Sequence, residues 1–247
     1  MDSQAYALEA SIEAEHWWFD GRRKLFCRII RELGTQPSCR ILDVGTSTGT
    51  NLRMLREMHF EDVTGVDNNE SAIRFCESKG FGPVRLGDAQ ALPFDDESFD
   101  LILATDIIEH VPDDGAAVRE ISRVLTSRGT ALITVPAFMS LWGHNDDTAH
   151  HRRRYRIDEV TSLVSNSDLQ VKDHFYFNFL LFAPIWAVRT MMRLLHADGG
   201  PRENEINSPL VNSLLKVIFS VDVRLSRVIH PPFGVSALVV AEKRPAG

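Results

Sequence analysis

The chain is 247 residues long, 44% of them hydrophobic and 25% charged, and 27 Lys and Arg against 34 Asp and Glu leave a net charge of −7. Those proportions fit one large globular domain, or a domain with insertions, and exclude intrinsic disorder. The acidic balance also argues against nucleic acid as a partner, because a general binder carries a basic footprint.

Three cysteines, Cys27, Cys39 and Cys76, have no paired spacing. They suit a reducing compartment and form neither a disulfide framework nor a zinc knuckle. The acidic N-terminal stretch MDSQAYALEASIEAEHWW lacks the apolar core of a signal peptide. The longest greasy run, Phe175 to Val188, is interrupted by Asn178 and Pro184. It is shorter than the ~20 residues of a spanning helix. The expectation is a soluble cytoplasmic protein.

In chain order, residues 2–34 read as helical, ending at Leu33-Gly34 with Pro37 as a stop signal. From Cys39 the pattern alternates. Strand-like runs are CRILDV, EDVTGVD, GPVRLGD, SFDLILATD and GTALITVP, and helix-length segments lie at 49–59, 70–79 and 114–125. Apolar strands separated by helices indicate parallel strands buried on both faces, hence right-handed crossovers and an α/β, doubly wound, mostly parallel sheet of Rossmann-like type. Past Pro136 the alternation stops. Residues 137–155 are polar and rich in His and Arg, 158–165 suggest a short helix, and 169–176 another strand. The stretch 177–230 reads as a mostly helical insertion with a polar break at 198–208, and FGVSALVVAEK as a strand that closes the sheet. The expected division is an N-terminal helical cap (1–36), a Rossmann-like core (37–136), a substrate-side loop and C-terminal helical insertion (137–232), and a final strand and tail (233–247).

The segment Asp43-Val44-Gly45-Thr46-Ser47-Thr48-Gly49 follows a strand and opens a helix. Its glycines permit a sharp turn and close approach to a ligand, and the helix start offers free N–H donors. The G-x-x-x-G spacing is not the G-x-G-x-x-G of nicotinamide-binding folds. Gly45-Thr-Ser47-Thr-Gly49 satisfies the G-x-S-x-G of a serine hydrolase, which makes an α/β-type hydrolase using Ser47 the alternative. Against it, no oxyanion-forming segment precedes the turn. The third reading is binding of S-adenosyl-L-methionine (SAM). Asp67 ends the second strand, where a carboxylate can accept from both ribose hydroxyls; Asp88-Ala89 follows the third, where an acid can meet the adenine amino group; and the fourth runs into ATDIIEHVPDD. Each Asp alone could be a helix cap.

Taken together, ILDVGTSTG, GVD, GDAQALPFDDESFDLI and EHVPD resemble the ordered motifs of class I SAM-dependent methyltransferases, in particular the type 11 group with its quinone-biosynthesis and natural-product enzymes. The resemblance covers roughly residues 39–136 well, with Ser47 standing where the family usually has glycine. It implies SAM as cofactor, with Asp43, Gly45, Thr46 and Gly49 facing its methionine part. Asp67 and Asn68 fall to the ribose, Asp88 and Ala89 to the adenine, and Thr105 to the cofactor floor. The segment His16-Trp17-Trp18-Phe19-Asp20-Gly21-Arg22-Arg23 resembles the family's entry segment. There Arg22 can meet a carboxylate with its planar fork, and Trp18 can cover the cofactor or pack on the core.

SAM brings an activated methyl group, so the chain's task is alignment and exclusion of water. A hydroxyl acceptor gains from a base within hydrogen-bond reach. The pool is Trp142-Gly-His144-Asn-Asp146-Asp147-Thr-Ala-His150-His151-Arg152-Arg153-Arg154-Tyr155, which leaves the carboxyl edge of the fifth strand. His150 or His151, oriented by Asp147, is the expected catalytic group. The spacing of His144, Asp146, Asp147 and His150 matches no standard metal motif, so no metal is expected. The expected partner is a small-molecule acceptor, lipid-like or glycan-linked, methylated at oxygen; the alternative to turnover is a non-catalytic SAM-binding partner protein. The apolar segment 175–195 has three explanations: a lid over a greasy acceptor, a homodimer surface in place of a monomer, or a contact with a membrane interface.

Overall fold

The computed structural model describes residues 9–194 and 208–245. Seven strands form one sheet: β1 (Arg40–Val44), β2 (Asp62–Asp67), β3 (Val84–Leu86), β4 (Phe99–Thr105), β5 (Leu125–Pro136), β6 (Leu169–Phe177) and β7 (Ser236–Lys243). Their spatial order is β3-β2-β1-β4-β5-β7-β6. The first five are mutually parallel. β7 runs antiparallel to both β5 and β6. The doubly wound, mostly parallel sheet is therefore present. Ile41, Leu42 and Val44 of β1 are essentially inaccessible, as an unalternating apolar strand buried on both faces should be. The chain steps β1 to β2 to β3 in one direction, then returns to β4 on the other side of β1. That reversal leaves a crevice beyond the carboxyl ends of β1 and β4, where ligands of such sheets bind.

The helices are α1 (Trp17–Glu32), α2 (Thr50–Glu57), α3 (Glu70–Ser78), α4 (Asp114–Val124), α5 (His144–Thr148), α6 (Ile157–Ser165), α7 (Phe182–Leu194) and α8 (Pro209–Ile229). The single N-terminal helix expected over 2–34 is broken. Residues 9–12 are helical, the chain turns through 13–15, and α1 starts afresh at Trp17; residues 2–8 of that expectation lie outside the described residues. The break has a local cause. His16 takes an extended backbone conformation, and its Nδ1 accepts from the Trp18 N–H at 3.3 Å, an N-cap.

Two further points concern the chain beyond β5. The final strand joins the sheet as expected, but between β5 and β6, so that β6 forms the edge. The segment 137–155 is less irregular than expected, holding a 3-10 turn at Met139–Leu141 and α5. Most of the polar break expected at 198–208 lies outside the described residues, and Ser208 caps α8 by accepting from Val211 N. α8 packs along α1. A Cβ on Gly21 would lie 2.0 Å from the Phe219 ring, so the glycine permits the close approach. Trp18 stacks on that ring at 5.4 Å between centroids. No described helix is long and apolar enough to cross a membrane.

Candidate cofactor and acceptor site

A cavity of about 890 Å³ opens over the carboxyl ends of β1, β2 and β4. One end is walled by Asp67, Asn68, Asp88 and Ala89, the middle by Gly45, Ser47, Thr105, Asp106 and Arg22, and the far end by His110, His150, His151, Asn178, Leu181, Ile185 and Val188. The glycine turn is drawn tight. Gly45, Ser47 and Gly49 all have left-handed backbones, with φ of +76°, +49° and +87°. A Cβ on Gly45 would lie 2.1 Å from the Ile107 side chain, which accounts for glycine there. Asp67, at the end of β2, binds the turn: Oδ2 accepts from Ser47 N and Oδ1 from Asn69 N, both at 2.9 Å. Asp67 also lines the cavity. Burial raises the Asp67 pKa, opposed by these backbone bonds.

Asp43, Thr46 and Gly49 do not line the cavity. They lie behind the turn and hold its shape. Asp43 is fully buried, Oδ1 accepting from Asn51 Nδ2 at 2.8 Å, while Asn51 also reaches Thr105 Oγ1 at 3.0 Å. Burial pushes the Asp43 pKa up to about 7. Thr46 Oγ1 donates to the Asp43 carbonyl at 3.1 Å. Gly49 caps α2, and a Cβ there would meet Phe81 at 2.7 Å.

The N-terminal segment closes the turn from outside, through acids that sequence reading passed over. Ser47 Oγ donates to Glu9 Oε1 at 3.1 Å. Glu13 accepts from Thr48 Oγ1, from Thr50 Oγ1 at 2.8 Å and from Lys79 Nζ at 2.7 Å. Burial pushes the Glu9 pKa up to about 7. The Ser47 hydroxyl thus points to a carboxylate rather than to an imidazole, which removes the geometric basis of the hydrolase alternative. Arg22 reaches the cavity from α1 and pairs with Asp106 at 2.8 Å. Its guanidinium lies over Trp18 and Phe26, and its Nε is buried without a partner among the described residues.

At the far end the expected orienting acid is replaced by its neighbour. Asp147 is exposed and accepts from Trp142 Nε1 at 3.0 Å. Asp146 is buried and lies 2.7 Å from His151 Nδ1. It also accepts from Arg154 Nε and the Gly143 N–H, both at 2.8 Å. Burial alone would raise its pKa, but the His151 bond and the Arg154 charge outweigh that and hold it at about 2. His150 sits exposed on the rim. His110 packs edge-on against His151 at 4.7 Å between centroids. Burial, then the neighbouring His151, pushes the His110 pKa down to about 4. Behind both rings Glu109 is fully buried, and neither carboxylate oxygen has a hydrogen-bond partner. Burial raises its pKa, and Asp106 adds to that. Asn178 is likewise buried at the end of β6 with both side-chain atoms unpartnered. The motif EHVPDD carried Glu109 in plain view, whereas nothing local in the sequence marks Asn178 or Glu9.

Residues 42–133 match the family model described as a methyltransferase domain. Over 103 residues the chain is 42% identical to the demethylmenaquinone methyltransferase of Roseiflexus castenholzii, covering 40% of this chain and 43% of that protein. It is 34% identical over 101 residues to cycloartenol-C-24-methyltransferase 1 of Oryza sativa, 38% of this chain and 29% of that protein. The chain thus spans less than half the length of either relative. The crystal structure of the YcgJ protein from Bacillus subtilis superposes with a TM-score of 0.56 at 21% identity, covering 91% of this chain and 99% of that one, a likeness of fold. Residues 42–133 thus resemble a class I SAM-dependent methyltransferase domain of the type 11 group. SAM is the cofactor of that class, and the site fits it: a glycine turn that admits a close ligand, and an acid at the end of the next strand lining the same cavity.

Proposed function

We propose that the protein is a SAM-dependent methyltransferase acting on a small-molecule acceptor, at oxygen. The observation that carries this reading is one continuous cavity running from Asp67 at the end of β2 to the imidazole of His151. SAM supplies the activated methyl on a sulfonium. Asp67 and Asn68 hold the ribose, Asp88 and Ala89 border the adenine, and Gly45 and Thr105 form the floor. Asp43, Thr46 and Gly49 keep the turn in shape for the methionine part. Arg22 exchanges Asp106 for the methionine carboxylate, whose two oxygens suit its fork. His151, held in one orientation by Asp146 rather than Asp147, receives the acceptor proton at Nε2, and His150 guides the acceptor at the rim.

Leu181, Pro184, Ile185 and Val188 give the acceptor end an apolar wall, on which Asn178 presents an amide with both donor and acceptor groups, and the two curated relatives are named for cycloartenol and demethylmenaquinone. Both observations favour a lipid-like acceptor with one polar handle. Outside the chamber Trp186, Met191 and Leu194 of α7 are exposed, a face that suits a membrane interface holding such an acceptor. In this reading residues 1–36 act as cap, 37–136 as cofactor core and 137–232 as acceptor side, with the final strand and tail (233–247) completing the sheet, in a cytoplasmic protein. The test is methyl-labelled SAM incubated with fractionated cell extract. Label entering an organic-soluble fraction is expected; SAM binding with no transfer to any fraction would favour a non-catalytic SAM-binding protein instead.

A further inference from the structure

We propose that Glu109, His110 and His151 form a divalent transition-metal site at the acceptor end of the cavity. One ligand atom from each of the three lies within 4.8 Å of the others. Sequence spacing could not show this, because two ligands follow β4 and the third arrives some forty residues later. The backbone brings them together: Arg152 N donates to the Glu109 carbonyl at 2.9 Å and Arg152 Nε to the His110 carbonyl at 3.1 Å.

Three features point to a cation rather than to a packed polar corner. Glu109 is wholly buried with neither oxygen hydrogen-bonded, and a buried carboxylate without a donor is costly unless it meets a cation or takes a proton. Its nearest imidazole is His151, Nε2 to Oε1 at 4.0 Å, too long for a hydrogen bond and open to an ion between them. The other ring nitrogen of His151 is held by the Asp146 carboxylate at 2.7 Å, the carboxylate–histidine arrangement that orients metal-bound imidazoles. Both rings line the cavity, so an ion there would face the acceptor with coordination positions left open. Two nitrogens and one carboxylate oxygen suit zinc, cobalt, iron or manganese more than magnesium or calcium. Bound there, the ion would take His151 Nε2 in place of the acceptor proton and would supply a Lewis acid beside the acceptor, with His151 as ligand rather than base.

The inference rests on the proposed function only for that use of the ion; the site itself stands on its geometry. The experiment uses the untagged full chain, stripped with chelator and titrated with Co²⁺, following visible absorption together with equilibrium dialysis against Zn²⁺. One equivalent of either metal is expected to bind. Glu109→Gln and His110→Asn should each weaken binding by about tenfold or more, and Asp146→Asn by a comparable factor through the orientation of His151. Should Glu109→Gln fail to fold, His110→Asn, nearer the cavity, decides the point. Absence of a bound equivalent in folded wild-type protein, or binding unchanged in both ligand variants, would overturn the site. SAM titrated into the same metal-free sample separates the two readings. SAM binding without metal binding removes the metal alone and leaves His151 as base, whereas loss of both removes the proposed function as well.

Discussion

Asp146 Oδ1 lies 2.7 Å from His151 Nδ1 and 2.8 Å from Arg154 Nε, so one buried carboxylate both orients the imidazole at the acceptor end and neutralises a buried guanidinium. Its folded pKa, about 2, is below its ordinary value of 3.8. A depressed carboxylate contributes stability that is fully present above the unfolded pKa and is lost as the pH falls through the folded one. The window here runs from roughly pH 4 to pH 2, and the contribution is about 2 kcal/mol.

Asp146→Asn should therefore destabilise the protein at neutral pH by ~3–5 kcal/mol, the cost of breaking a buried pair at one partner. The gap between wild type and variant should narrow as the pH falls toward 2. Urea unfolding at pH 7, 4 and 2.5 reads both effects. A gap that stays constant with pH would show that the carboxylate is not the group held down by His151 and Arg154.

Ser47 occupies a left-handed backbone position with φ of +49° and donates to Glu9. Ser47→Gly removes backbone strain while losing that bond; Ser47→Ala loses the bond and keeps the strain. The glycine variant should accordingly be the more stable of the two by up to about 1 kcal/mol. Thermal melts check the order, and the alanine variant coming out ahead would contradict it. Loss of an ester-cleaving activity in Ser47→Ala would revive the hydrolase alternative.

Gly21 lets α1 and α8 meet. A Cβ there would sit 2.0 Å from Phe219, a ring that also carries Trp18, so Gly21→Ala should cost ~1–3 kcal/mol by overpacking. Adding Phe219→Leu should recover part of that loss. A double variant no more stable than Gly21→Ala would show that the ring is not what the glycine accommodates.

The core of the fold was legible because its strands are apolar on both faces and its turns carry glycine and aspartate at strand ends. The C-terminal third was harder to read. Nothing in FGVSALVVAEK tells an edge strand from one inserted between β5 and β6, since pairing of that kind is decided at long range. The long N-terminal helix was overread because helical spacing hides a side-chain cap such as His16. At the site, the turn, Asp67 and the His-rich run stood out. Asp146 and Asp147 are adjacent on a short helix, and which one faces His151 depends on the rotation of α5 rather than on composition. Glu9, Glu13 and Asn178 gain meaning only through contacts across 35 residues or more, as between Glu13 and Thr48.

The central claim is that Asp67 and the glycine turn hold SAM, and isothermal titration of SAM into the wild-type protein and Asp67→Ala tests it most directly. The account predicts one binding site in the wild type, and affinity at least about tenfold weaker in the variant, as expected when hydrogen bonds to a charged group are lost. No heat of binding with folded wild-type protein, or equal affinity in the two, would contradict it.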